Sequence, residues 1–387
     1  MIKVIHLSNM KCFDDLKLHV APLTLLTGFN AAGKSTSLQG LLLIAQALRN
    51  GGVTEKVGLN GPLVRLGSVG DVAPRTKHSS EAAMTVGIET DKAAASWTLV
   101  PTGESRDTMA IRRASVLSAG ALEKRWKNSV RPPSSLSNTA KQLFRSVQEA
   151  VYLGASRTDG SDAYPSPDEA TVINADVGSE GQFASWWYDR NAEDEINRHR
   201  RHPKESAPVF RRQMDAFLGD LFPGAQANVE RLRGTSLVRL DLRLGFSSEW
   251  QRPNNIGYGL TYAFPILVSL LCANDGQVVV LDSPEAHLHP HGQSQMGRFI
   301  SRCAAAGVQV FVETHSDHVL NGVRLAVMEG IISPGDVAVH FFSSNVDIPS
   351  QPRVISPEID KSGNLAAWPD GFFDQSERDL SALAGWR

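Results

Sequence analysis

The stretch Gly28-Phe29-Asn30-Ala31-Ala32-Gly33-Lys34-Ser35-Thr36 fits the phosphate-binding loop pattern G-x-x-x-x-G-K-[ST]. Its flanks supply the context that the pattern needs. Leu23 to Thr27 (LTLLT) reads as a short buried strand, and Ser35 to Leu48 carries apolar residues at helical spacing. In such a strand–loop–helix unit the glycines let the backbone wrap an anion, and the helix N-terminus favours negative charge. Lys34 would reach the β and γ phosphates of a nucleoside triphosphate, and the Ser35 hydroxyl would hold Mg²⁺. Gly28, Asn30, Gly33, Lys34, Ser35 and Thr36 are the residues expected to hold ATP.

Composition sets limits on the rest. The chain has 387 residues and a formal net charge of −2, so its overall electrostatics point to neither nucleic acid nor an anionic membrane. Its three cysteines, Cys12, Cys272 and Cys303, are far apart and make no CxxC, as expected of buried thiols in a reducing compartment. The opening MIKVIHL is strand-like rather than a secretion signal, and the longest apolar stretch, Leu260 to Ala273, is too short to span a bilayer. A cytoplasmic protein with no membrane partner is expected.

Four segments follow from the patterning. Residues 1–114 read as the N-terminal half of an ATPase core, with strands at 2–7, 16–20 and 23–27 and an antiparallel meander at 84–89, 96–100 and 109–113. Residues 115–235 read as a mainly helical insertion, and 236–342 as the returning core, with short apolar runs at 278–281 and 308–312 typical of central parallel strands. Residues 343–387 are a small, loop-rich C-terminal unit. The fold class expected is α/β, a P-loop NTPase with an antiparallel β subdomain and a helical insertion.

Downstream motifs narrow the type of NTPase. Val278-Val279-Val280-Leu281-Asp282 is an apolar strand ending in a carboxylate, the Walker B pattern, and Asp282 would position Mg²⁺. It is preceded by the glycine-rich turn Asn254-Asn255-Ile256-Gly257-Tyr258-Gly259 and followed by Thr314-His315-Ser316 at the end of another apolar run. That order and spacing resemble ABC-type ATPases. More narrowly, Ser283 to Gly297 (SPEAHLHPHGQSQMG) resembles the PEAHLHP signature of SMC/RecF-like ABC ATPases, close to the ATPase part of OLD-family proteins. The stretch Glu313 to Val327 and the tail Trp368-Pro369-Asp370-Gly371-Phe372-Phe373-Asp374 are similar to bacterial predicted ATPases with a C-terminal domain of unknown function. Tyr152-Leu153-Gly154-Ala155-Ser156-Arg157 also looks like part of that family, with no role assigned.

The resemblance implies a head-to-head homodimer sandwiching two ATPs. Asn255, Gly257 and Gly259 of one protomer would meet the γ-phosphate held by the other, and His315 would be the switch residue on that phosphate. One departure stands out. The glutamate that usually follows the Walker B aspartate is replaced by Ser283, and the nearest carboxylate is Glu285. Three readings stay open: Glu285 orients the water, a residue outside the motif does, or hydrolysis is very slow. Slow hydrolysis with Glu285 contributing is the expected outcome.

Other features have plainer readings. His287, His289 and His291 lack a matched second ligand set and read as a structural or dimer-contact loop. The run Arg198 to Lys204 with Arg211 and Arg212 follows acidic residues, so it reads as a salt-bridged surface, with nucleic-acid contact through Arg200 and Arg201 left open. Trp186 and Trp187 read as packing. About seventy residues follow His315, too few for an OLD-type nuclease domain, and the tail acids Asp347, Glu358, Asp360, Asp370 and Asp374 are scattered. Three functions are therefore expected, in this order: an ATP-dependent dimerising switch acting on a nuclease or toxin partner, for which the resemblance implies a place in bacterial defence; a RecF-like DNA clamp in repair; or a non-hydrolysing ATP-bound scaffold.

Overall fold

The computed structural model describes residues 1–50, 55–74, 83–103, 105–157, 160–245, 249–344, 352–369 and 371–384. Among them, six strands form the central sheet in the order Pro352–Ile355, Val337–Ser344, Leu23–Gly28, Gln309–Glu313, Val278–Asp282 and Val151–Leu153. The five from Val337–Ser344 to Val151–Leu153 run parallel. Their short runs of Val, Leu and Phe are buried on both faces, as a sheet covered on two sides requires. Because the strands are parallel, their C-terminal ends come together at one edge, the usual position of a ligand site in such sheets. Register aligns Glu313 with Leu26 on one side and with Asp282 on the other.

A second, antiparallel sheet runs in the order Phe13–His19, Ile2–Met10, Met84–Thr90, Ala93–Pro101, Thr108–Ser118 and Lys56–Gly58, with Ala121–Trp126 also paired to Thr108–Ser118. It packs across the apolar face of the helix Lys34–Arg49, where Leu38, Leu41, Ile44 and Leu48 are buried with Leu7, Val86 and Ile88. The expected α/β fold with an antiparallel subdomain is present.

The stretch 115–235 has a different character from the mainly helical insertion expected. It contains the helices Asn138–Gln148, Ala184–Asn191 and Phe210–Leu221, but it also completes both large sheets. Ala121–Trp126 extends the antiparallel sheet, and Val151–Leu153 pairs in parallel with the Walker B strand. The strand Gln226–Arg231 joins Leu237–Arg243 and Tyr164–Pro165 in a small third sheet. Trp186 and Trp187 are buried in an edge-to-face pair beneath it.

The C-terminal unit is likewise continuous with the core. Val337–Ser344 lies parallel to the phosphate-loop strand, so the boundary expected at 343 cuts through a core strand. Beyond it, Phe372 is fully buried against Phe341 and Trp368. Asp347 and Asp370 lie outside the described residues. No described helix is long and apolar enough to cross a membrane.

Candidate functional site

The phosphate loop leaves the strand Leu23–Gly28 at Gly28, whose φ is +120°. A Cβ there would stand 2.1 Å from the Phe342 carbonyl oxygen, so the neighbouring strand requires glycine. Helix Lys34–Arg49 starts from Gly33, which offers no side-chain acceptor to its first-turn amides. Those amides are therefore available to an anion. Lys34 is buried, and its ammonium donates to the carbonyls of Gly28 (3.1 Å) and Phe29 (2.8 Å) in its own loop. Burial lowers its proton affinity, while the carboxylates of Glu313 and Asp282 raise it. A desolvated ammonium held by carbonyls of its own loop, at the start of a helix with no side-chain cap, matches a phosphate site.

The first turn of helix Lys34–Arg49 meets the carboxylates at the ends of two neighbouring strands. Ser35 Oγ donates to Glu313 Oε1 at 2.8 Å. Asp282 is the register partner of Glu313, and the Ser283 hydroxyl donates to its Oδ1 at 2.9 Å. Burial first, then the charge of Asp282, pushes the Glu313 carboxyl up to about 7. Two carboxylates with one buried lysine near them form a site that a divalent cation would neutralise, and hydroxyl and carboxylate oxygens are the donors that Mg²⁺ takes. Ser35, Asp282 and Glu313 line, with Tyr152 and Ser156, a cavity of about 410 Å³. Glu313 was not among the residues expected here. It stands one position before Thr314-His315 and gains its place only through strand register.

Glu285 is engaged differently from a free base. Its Oε2 accepts from Thr314 Oγ1 at 2.8 Å, and its Oε1 accepts from the His315 amide at 2.9 Å. It thus ties the segment after Walker B to the His315 loop. His315 is exposed as a residue, and partial desolvation of its ring, then the Lys34 charge, disfavours its protonated form. Ser283 adopts φ +49°, with its amide donating to the Glu313 carbonyl.

Asn255 and Gly257 are exposed on the turn that opens helix Tyr258–Cys272, and Gly259 lies against the His287 carbonyl. Pro265 is accommodated inside this buried helix. The His287–His291 segment has structural work. His289 Nδ1 accepts from the His291 amide as the cap of helix Pro290–Ala305, and the His287 ring packs on Tyr258 and Tyr262. Among the described residues no group of three His, Cys, Asp or Glu is placed to hold a metal.

The basic cluster is largely neutralised from within. Arg200, expected as a surface probe of nucleic acid, is 2% exposed; it donates to the Ala273 carbonyl and pairs with Asp275. Arg201, Arg211 and Arg212 pair with Glu195, Glu193 and Glu205.

The comparisons with known proteins agree with this geometry. A family model described as "AAA domain, putative AbiEii toxin, Type IV TA system" matches residues 173–321, and one described as "Protein of unknown function (DUF3696)" matches 332–383. The fold is similar to an Smc head bound to the C-winged-helix domain of ScpA, with a TM-score of 0.51 and 11% identity, covering 93% of this chain and 98% of that one. It is also similar to an Smc head with an extended coiled coil bound to the C-terminal domain of ScpA, derived from Pyrococcus furiosus. There the TM-score is 0.50 and the identity 10%, over 99% of both chains. No curated protein matches the sequence. The fold is that of SMC-type heads. Residues 173–321 are thus similar to the AAA-domain family and residues 332–383 to the domain of unknown function.

Proposed function

We propose that this chain is an ATP-binding switch that dimerises head to head, hydrolyses ATP slowly and passes its state to a partner protein. The observation that carries this reading is the meeting of the phosphate cradle, Lys34 and Ser35, with Asp282 and Glu313 at the ends of adjacent parallel strands. In this reading Gly28, Asn30, Gly33, Lys34, Ser35 and Thr36 hold the triphosphate, while Ser35, Asp282 and Glu313 hold Mg²⁺. The metal would supply charge neutralisation at the phosphates. The turn of Asn255, Gly257 and Gly259, exposed at its first two residues, would complete the site of a second copy, with His315 facing the γ-phosphate. A nucleotide held between two protomers closes them, and loss of the γ-phosphate removes the contact that distinguishes closed from open.

Slow turnover follows from Ser283, a hydroxyl where a water-orienting carboxylate would stand, and from Glu285, both of whose oxygens already accept hydrogen bonds. Glu285 then acts chiefly by holding the His315 loop. A partner effector is supported by the Smc heads of similar fold, which are bound to a domain of another protein. A setting of the toxin–antitoxin kind is supported by the similarity of residues 173–321 to a family described as a putative AbiEii toxin of a type IV TA system. The internal pairing of Arg200, Arg201, Arg211 and Arg212 weighs against a DNA clamp.

Light scattering of the full chain with Mg·ATP, beside Lys34→Ala and Glu285→Gln, tests the reading. A dimer that forms with wild type and Glu285→Gln but not with Lys34→Ala supports it. A chain that stays monomeric in every nucleotide state overturns the switch.

A further inference from the structure

The loop Gly154–Arg157 follows the strand Val151–Leu153, which lies parallel to the Walker B strand with Leu153 opposite Leu281. This register carries Arg157 to the end of that strand. Arg157 is 4% exposed, and its guanidinium donates through one Nη to the carbonyls of Asp282 (2.7 Å) and Ser283 (3.1 Å). The same group lies over the Tyr262 ring, 5.5 Å from its centroid. Tyr262 stands one turn into the helix that opens at the Gly257–Gly259 turn, and it packs edge-on against His287, two residues beyond Glu285.

Two further donors of Arg157, Nε and the second Nη, are buried without an acceptor among the described residues. Burial pushes the guanidinium down to about 10, with Asp282 and Glu285 acting the other way, so it stays charged at neutral pH. A buried cation with unmet donors is expensive, and for stability alone an apolar side chain would serve better. The carbonyls it does hold belong to Asp282 and to Ser283, whose left-handed backbone is uncommon for a residue other than glycine.

We propose that Arg157 is a positioning residue. It holds the Asp282–Ser283 turn in place and ties it, through Tyr262, to the helix that opens at the glycine-rich turn. Contact of that turn with a second copy is thereby felt at the carboxylates of the same protomer. This rests on the ATP-dependent dimer proposed above and adds the element that links its two halves within one chain. Arg157 touches neither the phosphate loop nor Ser35 in any of these bonds, so it acts through Asp282 and Ser283.

The test uses the full chain and the variants Arg157→Ala, Arg157→Lys, Tyr262→Phe and Tyr262→Leu. Affinity for a fluorescent ATP analogue is measured beside kcat and KM for ATP. Arg157→Ala is expected to keep nucleotide affinity within about 3-fold and to lose at least about 10-fold in kcat, because displaced reacting groups cost rate more than ground-state binding. Arg157→Lys keeps the charge without the fork and should fall short of wild type as well. Tyr262→Leu should lose kcat, whereas Tyr262→Phe, which keeps the ring face, should not. Millimolar guanidinium should restore part of the Arg157→Ala rate and none of the Lys34→Ala rate.

Arg157→Ala with wild-type kcat overturns the proposal. So does a parallel loss of affinity, kcat and melting temperature without rescue, which marks a fold role only. Lys34→Ala separates the two levels. If it binds and turns over ATP like wild type, the ATPase reading itself has failed and the proposal falls with it. If Lys34→Ala is dead while the Arg157 variants match wild type, only the positioning role is lost.

Discussion

Ser35 Oγ and Glu313 Oε1 are 2.8 Å apart, joined across 278 positions of sequence by the pairing of two parallel strands. Ser35 is the hydroxyl expected on Mg²⁺, so a carboxylate in contact with it stands where a cation would sit. Glu313→Gln removes the charge and keeps the shape. The metal concentration needed to support nucleotide binding is expected to rise by about 10–100-fold, the usual effect of losing a group beside a metal. Binding measured in excess EDTA should not change. Equal Mg²⁺ titration curves for the variant and wild type would remove Glu313 from the site.

Lys34 is the sharper lesion. Its ammonium is buried and bonded only to carbonyls of its own loop, so the fold gains little from it. Lys34→Ala should therefore keep the wild-type melting temperature within a few degrees. ATP affinity should fall by about 2–5 kcal/mol, the range for removing one partner of a buried charge pair. Calorimetric titration with Mg·ATP reads the loss directly. Unchanged affinity would show that the phosphate lies elsewhere.

The C-terminal region bears on the same loop. Gly371, at φ +80°, lies so close to Phe29 that a Cβ would stand 2.5 Å from the ring's Cζ. The Phe29 amide in turn donates to the Phe342 carbonyl. Gly371→Ala combines backbone strain with a clash, so a cost of about 1–3 kcal/mol is expected. Because the displaced ring belongs to the residue after Gly28, KM for ATP should rise as well. A stability loss with unchanged KM would separate the C-terminal region from the nucleotide site.

Legibility in the sequence tracked locality. The phosphate loop, the Walker B strand and the glycine-rich turn are each contiguous runs whose residue types carry their own physical reason. The strand Val151–Leu153 is three residues long, too short for any alternation to show, and it exists because Leu281 and Val279 pair with it. Val337–Ser344 belongs to the core for the same reason, through Leu23–Gly28. Glu313 and Arg157 escaped notice as site residues because each sits at a strand end or loop that only register brings to Asp282. Arg200 shows the opposite failure. A run of basic residues looks like surface in one dimension, yet its guanidinium is enclosed by Ala273 and Asp275.

His340 gives a prediction for pH. Its Nε2 lies 2.8 Å from the His19 carbonyl and its Nδ1 lies 2.7 Å from Ser356 Oγ. A carbonyl only accepts, so Nε2 carries the proton and Nδ1 accepts from the serine. Burial holds the ring down to about 4, below the value of about 6.5 for an unfolded histidine. Above that upper value both states are neutral and the contribution is complete. As pH falls towards 4 the unfolded chain takes the proton first, and about 3 kcal/mol of stability is lost. Asp215, raised by burial to about 6, works in the opposite sense over part of the range, because its folded form protonates first. Urea unfolding of wild type and His340→Gln between pH 7 and pH 4.5 isolates the histidine. Wild type should be the more stable at pH 7, and the two should converge as pH falls; parallel curves would show that His340 is not held neutral.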